Sequence, residues 1–189
     1  MATENSKPAL RRQVRERLKA MTPAQRAGLS EQARAGLQAQ PVWQGARSVL
    51  FFAPLAEELD LWPLLAEALA RGKTVGLPRF STAEGRYIAC QIRDLAQDIV
   101  TGRYGIREPA KECPALPFKL DLLLVPGVAF DLHGRRLGRG QGFYDQLLAA
   151  MSGVTCGVAF DEQIIGTVPV EPHDVHLNCI LTPTRWVEL

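Results

Sequence analysis

The apolar positions of the chain follow two spacings in turn. Over residues 9–20, Leu10, Val14 and Leu18 recur every four residues, with Arg and Lys between them. That spacing predicts an amphipathic helix with one apolar stripe. Thr22, Pro23 and Gln25 then supply an N-cap, a first-position proline and the far partner of a capping box. They predict a second helix, with Leu29, Ala33 and Leu37 on its inner face.

From residue 48 onward, short continuous apolar runs take over. The runs at 48–53, 73–78, 120–125, 154–159 and 178–181 read as strands covered on both faces. The run at 86–92 reads as another strand, with some alternation. Between them, residues 61–71 predict a helix with Asp60 as cap and Gly72 as stop. Residues 143–151 predict a further helix behind a glycine-rich loop. Strands alternating with helices predict an α/β fold. It is expected to be a three-layer α/β/α arrangement with a mostly parallel central sheet and two N-terminal amphipathic helices. At 189 residues the whole chain, 1–189, is expected to be one domain. Residues 100–119, rich in Pro, Gly and charge, read as a long functional loop.

Composition narrows the class. The chain is 47% hydrophobic and 22% charged, as ordinary globular proteins are. A net charge of +2 argues against a dedicated nucleic-acid binder. Cys90, Cys113, Cys156 and Cys179 lie far apart, so neither a zinc site nor a disulfide framework is expected. No run is long and apolar enough for a membrane span, and no signal-peptide core stands at the N-terminus. A cytoplasmic protein without membrane or nucleic-acid partners is expected.

The candidate chemistry lies in Gly134-Arg-Arg-Leu-Gly-Arg-Gly-Gln-Gly-Phe-Tyr-Asp145. It starts just after the strongest strand, where ligands collect in parallel sheets. Gly138, Gly140 and Gly142 can adopt positive φ and turn backbone N–H groups toward one point. Arg135, Arg136 and Arg139 add charge and forked donors, and the following helix adds its positive end. Together these favour a phosphate. The loop matches neither the P-loop nor the dinucleotide fingerprint. On the local pattern alone it also reads as a mobile turn with solvated arginines. Asp145 reads either as a charge in the helix's first turn or as a carboxylate holding nucleotide-bound magnesium.

The stretch from Pro126 to Asp145 resembles the signature of the 5-formyltetrahydrofolate cyclo-ligase family. The likeness continues through Lys7, Arg11, Glu58-Leu-Asp60, Leu77-Pro-Arg79, Tyr104-Gly-Ile-Arg-Glu-Pro109 and Val168-Pro-Val-Glu-Pro-His-Asp174. The resemblance implies MgATP-driven conversion of 5-formyltetrahydrofolate to 5,10-methenyltetrahydrofolate, with release of ADP and phosphate. By position it implies ATP binding by Lys7, Arg11, Arg136, Leu137, Gly138, Arg139, Gly140, Gln141, Gly142, Phe143 and Tyr144. It implies folate binding by Ala53, Glu58, Tyr104, Arg139, Gln141, Gly142 and Phe143. Asp145 and Asp174 match the magnesium carboxylates. Arg136 and Arg139 are the expected catalytic residues, since phosphoryl transfer depends mostly on position and charge neutralisation. Two positions depart from the family pattern: Gln141 replaces Lys or Gly, and Asn178 replaces Asp.

Each of these residues also has a plainer reading. Lys7 and Arg11 suit a solvated basic helix face, Asp174 an exposed loop, Glu58 a charge before a helix cap, and Tyr104 an aromatic covering the core. His133 reads as a surface histidine. Two rival functions follow: a nucleic-acid-binding module built on the basic first helix, and a sugar-phosphate isomerase or CoA-transferase on a similar sheet. The partners expected are small molecules, and a monomer is expected.

Overall fold

The computed structural model describes residues 6–102, 105–171 and 174–189. Tyr104 and His173 lie outside them. The chain opens with helices α1 (Lys7–Lys19) and α2 (Pro23–Gln38). Leu10, Val14 and Leu18 are buried, as their spacing requires. Thr22 and Gln25 close the capping box expected of them. A short helix, α3 (Pro41–Gly45), follows and buries Trp43 edge-on against Phe51, with ring centroids 6.0 Å apart.

The sheet strands are β1 (Ser48–Leu50), β2 (Thr74–Ser81), β3 (Arg86–Ile92), β6 (Lys119–Val125), β9 (Ser152–Val158), β10 (Cys179–Leu181) and β11 (Trp186–Glu188). Their order across the sheet is β11-β10-β9-β6-β1-β2-β3. The five central strands are mutually parallel, and the edge strands β3 and β11 run antiparallel. Helix α4 (Trp62–Ala70) joins β1 to β2, and α5 (Phe143–Ala149) leads into β9. Two small hairpins complete the fold: β4 (Ile99–Thr101) with β5 (Arg107–Pro109), and β7 (Ala129–Phe130) with β8 (Arg136–Leu137).

The two faces of the sheet are covered unequally. Helices α1 to α4 bury Leu10, Leu37, Trp43 and Leu64 in one apolar cluster with Val49, Leu77, Leu122 and Cys156. The other face carries Leu50, Leu123, Val125 and Ile180, packed against Leu147 and Leu148 of α5. Residues alternating along one strand therefore serve opposite cores, which explains the unbroken apolar runs.

Several boundaries differ from expectation. The run 48–53 is a strand only through Leu50. The Phe51 amide still reaches the Gly76 carbonyl at 2.8 Å, but the chain then leaves the ladder toward Pro54. Asp60 stands one residue before the N-cap position, which buried Leu61 occupies. Its Oδ1 nevertheless accepts from the Trp62 amide at 2.9 Å, so it caps from outside. Gly72 ends α4 with φ +74°, as expected. The segment 100–119 is not one loop, because β4 and β5 pair within it. Part of the presumed glycine loop is likewise the β7–β8 hairpin. Buried Asp131 holds its turn, accepting from the amides of His133 at 2.9 Å and Arg135 at 3.1 Å, and from Val168 beyond it at 2.8 Å. All four cysteines are buried free thiols. Among the described residues no helix is long and apolar enough to cross a membrane.

Candidate active site

The carboxyl ends of the central strands open into one cavity of about 370 Å³. Each wall begins where a strand stops. Phe52, Ala53, Leu55 and Glu58 follow β1; Pro126 and Gly127 follow β6; residues 138–145 follow β8 and enter α5. The β4–β5 hairpin contributes Ile106, Arg107 and Glu108. This is where a parallel sheet puts its ligands.

Two glycines shape the loop by conformation. Gly140 has φ +104° and Gly142 φ +68°, a region that side-chain-bearing residues avoid. Gly138 has no positive φ, and a Cβ there would meet only the Arg136 guanidinium at 3.9 Å. The expectation that all three glycines supply positive φ is therefore corrected at Gly138. Helix α1 lies against this loop. The Arg11 Nε donates to the Gly138 carbonyl at 2.8 Å, and its guanidinium lies over Gly140.

Every cation expected at the phosphates is paired inside the protein. Arg136 is buried and forms an ion pair with Asp145. Its guanidinium also lies 5.9 Å from the centre of the Tyr144 ring. Arg139 reaches Glu57 at 3.2 Å and Glu58 at 2.8 Å. Desolvation pulls its pKa down, but the Glu58 and Glu57 carboxylates outweigh that, and the net direction is up. Lys7 lies 3.3 Å from Glu171 and 3.4 Å from Asp174. Desolvation, then the Glu58 charge, push the Tyr144 phenol well above its usual range, against a smaller pull from Arg136. Tyr144 is thus a neutral hydroxyl donor at any ordinary pH.

The structure gathers most of the expected residues and separates a few. Ala53, Glu58, Arg136, Gly138, Arg139, Gln141, Gly142, Phe143, Tyr144 and Asp145 line the cavity. Arg11 and Gly140 stand directly behind it. Lys7 and Asp174 meet each other and are not wall residues. Leu137 is buried in the β7–β8 hairpin, where its carbonyl accepts from the Val128 amide. Tyr104 lies outside the described residues. Asn178 bonds Thr155 through its side chain at 2.9 and 3.0 Å, tying β10 to β9. That departure from the family pattern therefore has a structural role in the sheet.

Asp145 and Asp174, the carboxylates expected at a magnesium ion, are paired in this structure with Arg136 and Lys7. Among the described residues no three His, Cys, Asp or Glu side chains converge on one point. Such a sparse donor set suits Mg²⁺, which keeps most of its shell for phosphate oxygens and water. It does not make a cage able to hold the ion unaided.

Two wall residues, Tyr87 and Glu108, stand outside the residues expected at the site. Tyr87 and Phe143 sit edge-to-face with centroids 5.5 Å apart, and Phe80 stands 5.5 Å from each. Glu108 read as loop charge, yet it is only 5% exposed. The packing of β5, which pairs with β4, beside β2 puts it on the wall.

The chain is similar to known proteins over most of its length. The chain is 33% identical to the 5-formyltetrahydrofolate cyclo-ligase of Escherichia coli K12, covering 91% of this chain and 97% of that one. It is 33% identical to the cyclo-ligase of Mycolicibacterium smegmatis, covering 96% of each. The solved structure of Aquifex aeolicus 5,10-methenyltetrahydrofolate synthetase superposes with a TM-score of 0.86 at 30% identity, covering 96% of this chain and 92% of that one. The sequence model of the 5-formyltetrahydrofolate cyclo-ligase family matches residues 3–183, and the chain belongs to that family.

Proposed function

We propose that the protein converts 5-formyltetrahydrofolate to 5,10-methenyltetrahydrofolate at the expense of ATP, in this cavity. The observation that carries the reading is the meeting of two unlike walls in one space. The arginines and the glycine loop line it together with the rings of Tyr87 and Phe143, and Phe80 packs edge-on against both rings. A polyphosphate suits the first and a flat ring system the second.

The reaction follows from positioning. The formyl oxygen attacks the γ-phosphorus of ATP, and the bond to the β-phosphate oxygen breaks, releasing ADP. The resulting imino-phosphate carbon is then attacked by N10, which loses its proton. The C–O bond breaks, and phosphate leaves. Arg139, freed from Glu57 and Glu58, neutralises charge on the transferred group. Arg11 and Lys7 bind the nucleotide from α1. Glu58 accepts paired N–H donors of the pterin once Arg139 has turned away. Magnesium, when bound, neutralises phosphate charge, and Asp145 and Asp174 are the residues that would hold it.

The test combines protein, 5-formyltetrahydrofolate and MgATP, and follows methenyl absorbance and ADP together. Equal amounts of both products are expected. Product formation without ATP, or no product, overturns the reading.

A further inference from the structure

Glu108 is the one wall carboxylate whose position the reading above does not use. Its burial is built, not incidental. The Phe80 amide donates to Oε2 at 3.1 Å, which fixes the carboxylate plane against β2. Gly102 then passes directly over the group. A Cβ at residue 102 would lie 2.5 Å from the Glu108 Cδ, so only glycine lets the chain close there. With Oε2 held, the other oxygen cannot swing out to solvent. Oε1 is fully buried and has no hydrogen-bond partner among the described residues.

A buried acceptor without a donor costs free energy. Neighbouring charges on the wall do not relieve it. Arg107, the next residue, stacks its guanidinium on the Trp62 ring, 4.3 Å from the centroid. Arg136 and Arg139 are committed to Asp145 and to Glu57 and Glu58. Among the carboxylates that line the cavity, Glu108 therefore differs from Glu58 and Asp145, which are ion-paired. The others exchange a partner when a ligand enters, whereas Glu108 gains one.

The class of that partner follows from the surroundings. Phosphate oxygens only accept, and a carboxylate repels them, so Glu108 belongs with the rings that line the cavity. There Phe80 joins it to the aromatic group of Tyr87 and Phe143. Adenine offers a single amino group. A tetrahydropterin carries an exocyclic amine and several ring N–H groups, more than Glu58 alone can accept. We propose that Glu108 is a substrate-binding residue whose Oε1 accepts an N–H of the reduced pterin that Glu58 leaves unpaired. This rests on the folate reading of the cavity.

The test uses Glu108→Gln, whose carbonyl can still accept from the Phe80 amide while its NH₂ replaces Oε1. That puts a donor against a donor. Calorimetric titrations with 5-formyltetrahydrofolate and with MgATP are run separately on the wild type and the variant, alongside thermal melts without ligand. The expected result is a loss of at least about tenfold in folate affinity, with ATP affinity within about twofold and the melting temperature not lowered. Unchanged folate affinity removes Glu108 from the site. Equal losses for both ligands, with a lower melting temperature, assign it a purely structural role. Loss for ATP alone puts adenine there instead and overturns the proposal. Should Glu108→Gln fail to fold, Glu108→Asp keeps the charge but withdraws it by one methylene, and the same selective loss is expected. A wild type that binds no folate overturns the proposed function itself. A wild type that binds it beside an unaffected variant overturns only the role of Glu108.

Discussion

The glycine-loop wall and the β4–β5 wall of the cavity handle charge in opposite ways. On the first, Arg136 meets Asp145, Arg139 meets Glu57 and Glu58, and behind it Lys7 meets Glu171 and Asp174. On the second, the buried Glu108 leaves one oxygen unmatched. The arginines of the first wall are already ion-paired, so on the proposed function a phosphate displaces a carboxylate to bind there. Binding on that wall therefore yields only the difference between two interactions. On the second wall it yields a whole hydrogen bond. Proximity of the expected residues is therefore not readiness, because their charges are already engaged with one another.

Breaking the buried pair gives the largest effect. Asp145→Ala leaves Arg136 buried without its counter-charge, at a cost on the order of 3 kcal/mol. Urea unfolding is expected to register this as a lowered midpoint at unchanged slope. The double variant Arg136→Met with Asp145→Leu fills the same space with apolar atoms and recovers most of that stability, but not activity. A single Asp145→Ala protein as stable as the wild type would mean that the pair contributes nothing to the fold.

A smaller change sharpens the exchange on Arg139. Glu58→Gln removes one charged partner of Arg139 and, on the proposed function, one acceptor for the pterin. The kcat/KM for the folate is expected to fall at least about tenfold, with ATP binding little changed. Glu57→Gln loosens the same arginine without touching the folate, so its ATP affinity is expected to rise slightly. Identical effects of the two variants on both ligands would erase the distinction between them.

The smallest effect is expected at α1. Replacing Lys7 and Arg11 by Ala should raise the KM for ATP severalfold and the KM for folate less, because each side chain trades a protein partner for a ligand one. Steady-state kinetics with each substrate varied in turn measure it. A larger change for folate would detach α1 from the nucleotide.

Helix α1, the capping box at Thr22 and Gln25, and the parallel core strands were legible because each depends on residues close in sequence. A stripe every four residues, or an unbroken apolar run, states its own environment. The glycine loop was legible for the same reason: its residues are consecutive, and Gly140 and Gly142 do take the positive φ expected of them. Its content of ion pairs was not. Arg139 and Glu58 are 81 residues apart, and Lys7 and Asp174 are 167 apart. No local pattern states that such groups will meet.

The same limit explains the segment 100–119. Its Pro, Gly and charge announce irregular chain, yet β4 and β5 pair in it because β2 offers a neighbour. What the sequence determined by itself was the order of helices and strands, the identity of the glycine loop and the family, all carried by contiguous residues. What only the tertiary structure decided was which charges meet one another and which buried polar atoms, Glu108 Oε1 among them, stay without a partner. Chain connectivity constrains the first kind of feature within a few residues. The second depends on long-range burial, where water is excluded and each polar atom must find whichever partner the fold puts beside it.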